Sequence, residues 1–152
     1  MFTVFIADDS QLVRDRLKKV IAEKGSMAVV GESGDAEEAK QAIRRLHPNV
    51  IILDVRMPGG GGLAVLVDIK AQEPSRVVII LTAYPDAQYR QAFFAAGADY
   101  FFDKTRDIQR MSDVLVELAQ RHSEHDEKNP GAQDNPAENK TTIAQESVLK
   151  IR

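Results

Sequence analysis

Asp8-Asp9, Asp54, Thr82 and Asp103-Lys104 each stand at the end of a short apolar run: TVFIA, VIIL, VVIIL and ADYFF in turn. Brought to one place, Asp8, Asp9 and Asp54 offer three carboxylates, Thr82 a hydroxyl and Lys104 an ammonium. Carboxylates so gathered repel, by about 4 kcal/mol per pair at ~4 Å and an effective dielectric near 20. Lys104 supplies one compensating charge, so a further cation is called for. An all-oxygen cluster suits Mg2+, which binds through one or two carboxylates and leaves room for substrate phosphate. A carboxylate beside such a cation can attack phosphorus. These residue types therefore predict a divalent-metal phosphoryl site with a carboxylate nucleophile.

The elements that must position these groups are legible from periodicity. Five apolar runs, Thr3–Ala7, Met27–Gly31, Val50–Asp54, Val77–Leu81 and Ala98–Phe102, alternate with amphipathic segments. Several runs are continuous rather than alternating, as expected of parallel strands covered on both faces. Val13, Leu17, Val20 and Ile21 recur at helical spacing before Gly25. Ala39, Ala42, Ile43 and Leu46 do so before Pro48, and Leu63, Leu66, Val67 and Ile69 before Pro74. Asp86–Ala96 is a weaker helix ended by Gly97, and Ile108, Met111, Leu115 and Leu118 mark a last one. Strand–helix alternation repeated five times predicts an α/β fold, a doubly wound parallel sheet with helices on both faces. Chemistry in such sheets gathers beyond the carboxyl ends of the strands, where the acidic residues and Lys104 stand.

The chain resembles the receiver domains of two-component response regulators, the family that includes the chemotaxis receiver. The resemblance is carried by Asp8-Asp9, by Asp54, by Met57-Pro58 in DVRMPGGGGL with Gly62 before a helix, by Thr82-Ala83 and by Lys104. The run LTAYPDAQYR…AGADYFFDK is similar to that of the free-standing, single-domain type. The resemblance covers about residues 2–121 and implies a flavodoxin-like sheet of order 2-1-3-4-5. It implies that Asp54 accepts a phosphoryl group, and that Asp8, Asp9, Asp54 and the main-chain carbonyl of Arg56 hold Mg2+, with Mn2+ as an alternative. Lys104 and Thr82 would contact phosphoryl oxygens, and Thr82 and Phe101 would form the switch. It further implies a sensor histidine kinase or histidine phosphotransfer protein as donor, and a protein target reached through about residues 86–121. Two departures stand beside the site. Gly59–Gly62 predict an unusually flexible loop. Arg56 and Tyr84 occupy positions that in the family flank the path of attacking water, which predicts altered autodephosphorylation.

Composition narrows the rest. The 152 residues contain no cysteine, which excludes thiol catalysis, disulfides and cysteine-ligated metal. With 20 basic against 23 acidic residues, no nucleic-acid footprint is expected. No apolar run reaches the ~18 residues of a membrane span, and the N-terminus lacks a basic n-region, so the expected location is cytoplasmic. Residues 122–152 hold few large apolar side chains and two Asn-Pro pairs, which predicts a disordered tail after a receiver of residues 1–121. Its HSEH run reads as a frayed helix end or a short metal site, and TTIAQESVLKIR as a docking peptide or an inert end. With no DNA-binding pattern or second α/β unit after Arg121, the expected output is protein binding by a monomer or weak dimer. The chain is then a phosphoacceptor rather than an enzyme. A phosphate sink, a phosphorylation-independent interaction module and an aspartyl-phosphate phosphatase are the alternatives. The last would need a second acid where Arg56 stands.

Overall fold

The computed structural model describes residues 1–128, and within them the periodicities resolve into five strands and five helices. In chain order these are β1 (Phe2–Ala7), α1 (Gln11–Lys24), β2 (Met27–Ser33), α2 (Ala36–Leu46), β3 (Val50–Leu53), α3 (Gly61–Gln72), β4 (Val77–Thr82), α4 (Ala87–Ala95), β5 (Tyr100–Asp103) and α5 (Ile108–Lys128). The strands form one parallel sheet of order β2-β1-β3-β4-β5, the topology expected. Neighbouring side chains on a strand point to opposite faces, so the continuous apolar runs feed two cores. Val4 and Ile6 join Leu17 and Ile21 of α1 and Met111 and Leu115 of α5. Phe5 and Ala7 join Ile43 of α2, Leu66 and Ile69 of α3 and Phe93 of α4. Fully burying each of these side chains larger than alanine is worth about 1.5–3 kcal/mol, so both faces hold the sheet.

Local chemistry sets the helix ends. The Ser10 hydroxyl accepts the Val13 N–H, and the Asp35 carboxylate accepts the Glu38 N–H, each satisfying a donor that the first helical turn leaves free. At the end of the sheet away from the acidic residues, the Asn49 side chain accepts the Thr3 N–H at 2.8 Å and ties β1 to β3.

The last helix departs from expectation. It continues through residues 122–128, seven beyond the boundary at 121. That extension has no apolar stripe. It is supported by pairs one turn apart, Arg121 with Glu117 and His122 with Asp126, which hydrophobic periodicity cannot register. The rest of the expected disordered tail, including TTIAQESVLKIR, lies outside the described residues. Among the described residues, the one group of three or more His, Asp or Glu side chains placed to hold a metal is Asp8, Asp9 and Asp54, so the HSEH run is not such a group. No helix among them is long and apolar enough to cross a membrane.

Candidate phosphoryl-transfer site

The sheet ladder continues one rung past the strands and so places the site. The Asp54 N–H donates to Ala7 O at 2.9 Å, the Asp8 N–H to Ser33 O at 3.0 Å, and the Lys104 N–H to Thr82 O at 2.9 Å. Asp8, Asp54 and Lys104 are thereby fixed at one edge by backbone bonds that do not depend on their side chains. There, one carboxylate oxygen from each of Asp8, Asp9 and Asp54 lies within 4.8 Å of the others. Lys104 Nζ bridges two of them, at 2.6 Å from Asp8 Oδ2 and 3.1 Å from Asp54 Oδ2.

Asp54 is buried, 4% exposed. Its Oδ1 accepts the Val55 N–H at 2.8 Å, while Oδ2 faces Lys104. Burial, then the neighbouring Asp8 charge, pushes its carboxyl from 3.8 up to about 6, against the pull of Lys104. For Lys104, burial acts downward, but the hydrogen bond to Asp8 and the charges of Asp54 and Asp8 outweigh it and hold the ammonium above its ordinary value. One ammonium does not fully compensate these carboxylates. The three converging oxygen donors, one of them raised toward neutrality, are a donor set that fits a hard divalent cation.

This gives a pH dependence in metal-free protein. The unfolded Asp54 loses its proton near 3.9 and the folded one near 6. Between those values the native state binds more protons than the unfolded chain, so stability falls as pH rises through that window. Urea titrations in EDTA at pH 4, 5, 6 and 7 are expected to show a decline, on the order of 1–2 kcal/mol from this group with residual hydration allowed for. The same series on Asp54→Asn is expected to lack that share of the decline; parallel slopes would contradict the assignment.

Thr82 is fully buried at the end of β4, and its Oγ1 accepts the Tyr84 N–H at 2.9 Å. Arg56, two residues after Asp54, stacks its guanidinium 3.8 Å from the centroid of the Tyr84 ring and donates to the Tyr89 hydroxyl of α4 at 3.3 Å. The two residues of the second departure noted from sequence, Arg56 and Tyr84, thus meet each other. Phe101 is buried on β5 between Phe93 and Phe94 of α4, with ring centroids 6.4 and 6.2 Å away.

The four glycines serve geometry where the sequence suggested looseness. Gly59, Gly60 and Gly61 have φ of 85, 120 and 81°, a region side chains rarely adopt. A Cβ on Gly62 would lie 1.9 Å from Asp54 O. The segment is tied down by Gly61 N–H to Met57 O at 3.1 Å, Gly62 N–H to Val55 O at 2.9 Å and Ala36 N–H to Pro58 O at 2.8 Å.

Sequence reasoning missed two residues of the site's surroundings. Tyr89 read only as part of a weak helix. Arg14, on the first turns of α1, reaches back to the Asp8 carbonyl. Side chains on a helix lean toward its N-terminus, so a long basic residue one turn into α1 was the available signal.

The family model for the response regulator receiver domain matches residues 4–116. The transcriptional regulatory protein BtsR of Escherichia coli is 33% identical over 126 residues, covering 83% of this chain and 52% of that protein. The response regulator GacA of Pseudomonas aeruginosa is 29% identical over 118 residues, covering 78% and 55%. The chain thus spans about half the length of the curated relatives it matches. Among solved structures, the CheX–CheY complex with BeF3 and Mg2+ from Borrelia burgdorferi superposes with a TM-score of 0.67 at 25% identity, over 75% of this chain and 89% of that one.

Proposed function

The chain belongs to the response regulator receiver domain family, and on that premise we propose that Asp54 accepts a phosphoryl group from the phosphohistidine of a sensor kinase or phosphotransfer protein. Membership implies phosphoaspartate-based two-component signalling. The observation that carries the residue assignment is the convergence of Asp8, Asp9 and Asp54 with Lys104 bridging Asp8 and Asp54.

In the proposed reaction an Asp54 oxygen attacks phosphorus as the bond to the donor's histidine nitrogen breaks. Lys104, already 3.1 Å from Asp54 Oδ2, offers its ammonium to a phosphoryl oxygen, and the Thr82 hydroxyl turns from Tyr84 to another. Mg2+ held by Asp8, Asp9, Asp54 and the Arg56 carbonyl would supply the charge compensation that phosphoryl transfer needs. The Borrelia structure, which contains BeF3 and Mg2+, supports that cofactor for this fold. The phosphoryl group carries about −1.5 to −2 charges by analogy with other phosphoresidues, and because it replaces the charge of the Asp54 carboxylate the site gains at most about one. Moving a two-state surface from mostly off to mostly on takes ~5.5 kcal/mol of differential interaction, which a few charge-assisted hydrogen bonds can supply.

The output we propose is protein binding through α4, β5 and α5, by a cytoplasmic, monomeric or weakly dimeric regulator that is not itself an enzyme. Arg56 standing where a phosphatase would carry a second acid supports the last point. The test is incubation with Mg2+ and a small phosphodonor. One acid-stable, alkali-labile phosphoryl group is expected on wild type and none on Asp54→Ala; equal labelling of both would end this reading. Because Arg56 and Tyr84 stack on each other, the phosphoryl lifetime is expected to change in Arg56→Asn and in Tyr84→Glu. Decay identical to wild type in both variants would remove the pair from the reaction.

A further inference from the structure

Asp8 and Asp9 are held in opposite ways. Every polar group of Asp8 has a partner: its N–H donates to Ser33 O, its Oδ1 accepts the Ser10 N–H, and its Oδ2 meets Lys104. The Asp9 carboxylate is exposed and makes no hydrogen bond among the described residues. With no side-chain partner to place it, its reach toward the cluster depends on where its backbone sits, above all on the Asp8–Asp9 peptide. That peptide is a rigid plane, so whatever fixes the Asp8 carbonyl also fixes the Asp9 nitrogen and Cα, the point from which its side chain departs.

Arg14 fixes that carbonyl. Its Nη1 donates to Asp8 O at 2.5 Å, its Nη2 to Gln11 Oε1 at 2.5 Å and its Nε to Glu32 Oε1 at 3.3 Å. The side chain is only 12% exposed. Glu32 is anchored from behind by Lys18 at 2.6 Å, and Lys18 by Asp15 at 3.2 Å. A planar fork with donors on three sides suits three acceptors in different directions, which a lysine point charge cannot match. The turn between β2 and α2 leaves room for it: a Cβ on Gly34 would lie 2.9 Å from Arg14 Nη1.

We propose that Arg14 is a positioning residue for the metal-binding acidic pair, holding the Asp8–Asp9 peptide so that the Asp9 carboxylate faces Asp8 and Asp54. The proposal rests on the reading of that cluster as a Mg2+ site. An Arg14 that merely pinned α1 to β2 would affect stability and leave the cation alone.

The experiment is calorimetric titration of the purified chain with Mg2+ alone, beside thermal melts in EDTA. Arg14→Met is expected to weaken Mg2+ binding about tenfold or more, the usual effect of losing a partner that orients a metal ligand. Arg14→Lys should restore only part of the loss. Gly34→Ala keeps the guanidinium but presses on it at 2.9 Å, while meeting the Asp8 carbonyl and the Asp9 Cα only at ordinary contact distance, 3.5 Å, and should weaken binding in the same direction; it decides the matter if Arg14→Met does not fold. Asn49→Ala destabilises the far end of the sheet and should leave Mg2+ affinity as in wild type. Wild-type affinity in both Arg14→Met and Gly34→Ala, or an equal loss in Asn49→Ala, would overturn the proposal. Absence of Mg2+ binding by wild type at millimolar concentration would overturn the metal site itself, and the proposal with it.

Discussion

Gly62→Ala is expected to lower the unfolding free energy by about 3 kcal/mol and to abolish labelling of Asp54 in the same preparation. Overpacking a tight position costs roughly 1–3 kcal/mol when side chains can give way, and more when they cannot. Here the added methyl meets backbone: Asp54 O at 1.9 Å and the Val55 Cα at 3.1 Å. Relief requires either the first turn of α3 to lift from the sheet or the Asp54 peptide to rotate. Lifting would spoil the Gly62 N–H bond to Val55 O, and rotation the Val55 N–H bond to Asp54 Oδ1. Stability and phosphoryl acceptance thus fall together, as urea midpoints and acyl-phosphate yield on one sample would report. A midpoint within error of wild type would mean that α3 does not approach Asp54 this closely.

Asp99→Ala is expected to cost about 3–5 kcal/mol, the range seen when one member of a buried ion pair is removed. Asp99 is 5% exposed. Its Oδ2 accepts the Val78 N–H at 2.9 Å and Lys70 Nζ at 3.0 Å. Lys70, on α3, also donates to Arg76 O at 2.6 Å, so the pair joins α3, the start of β4 and the entry to β5. Removal of the carboxylate takes a neighbouring countercharge from a largely covered ammonium and the acceptor from a buried N–H. Lys70→Met combined with Asp99→Asn should cost clearly less than the sum of the two single changes, because the partners are coupled. Additive losses would show that the two act independently. The loss is a large part of the 5–15 kcal/mol typical of a domain, yet it lies at the end of the sheet away from Asp54. Protein that stays folded should still accept a phosphoryl group.

The site was legible where covalent order and strand geometry coincide. Asp8, Asp54, Thr82 and Lys104 are the residues at or just past the last rung of β1, β3, β4 and β5, and an apolar run announces its own end. Parallel strands place those ends on one edge, so their convergence needed no knowledge of side-chain contacts. The helices were legible as far as an apolar stripe lasted. Beyond residue 121 the stripe ceases while the helix goes on, because His122 rests on the Phe2 ring and side chains one turn apart support the polar turn that follows.

The sequence by itself determined the order of strands and helices, the two-sided burial of the sheet and the acidic edge, since each follows from a period of two or 3.6 residues and from what comes next in the chain. Only the tertiary structure decided which groups touch. That Lys104 bridges Asp8 and Asp54, that Arg56 lies on Tyr84 and that Arg14 grips the carbonyl between the two acids all depend on contacts across separate elements or back along a helix, where distance in sequence says nothing of direction. The glycine run makes the same point. Four glycines in a row suggest freedom, whereas the packing of α3 against the Asp54 peptide turns them into a requirement, because close backbone approach and positive φ leave no place for a side chain.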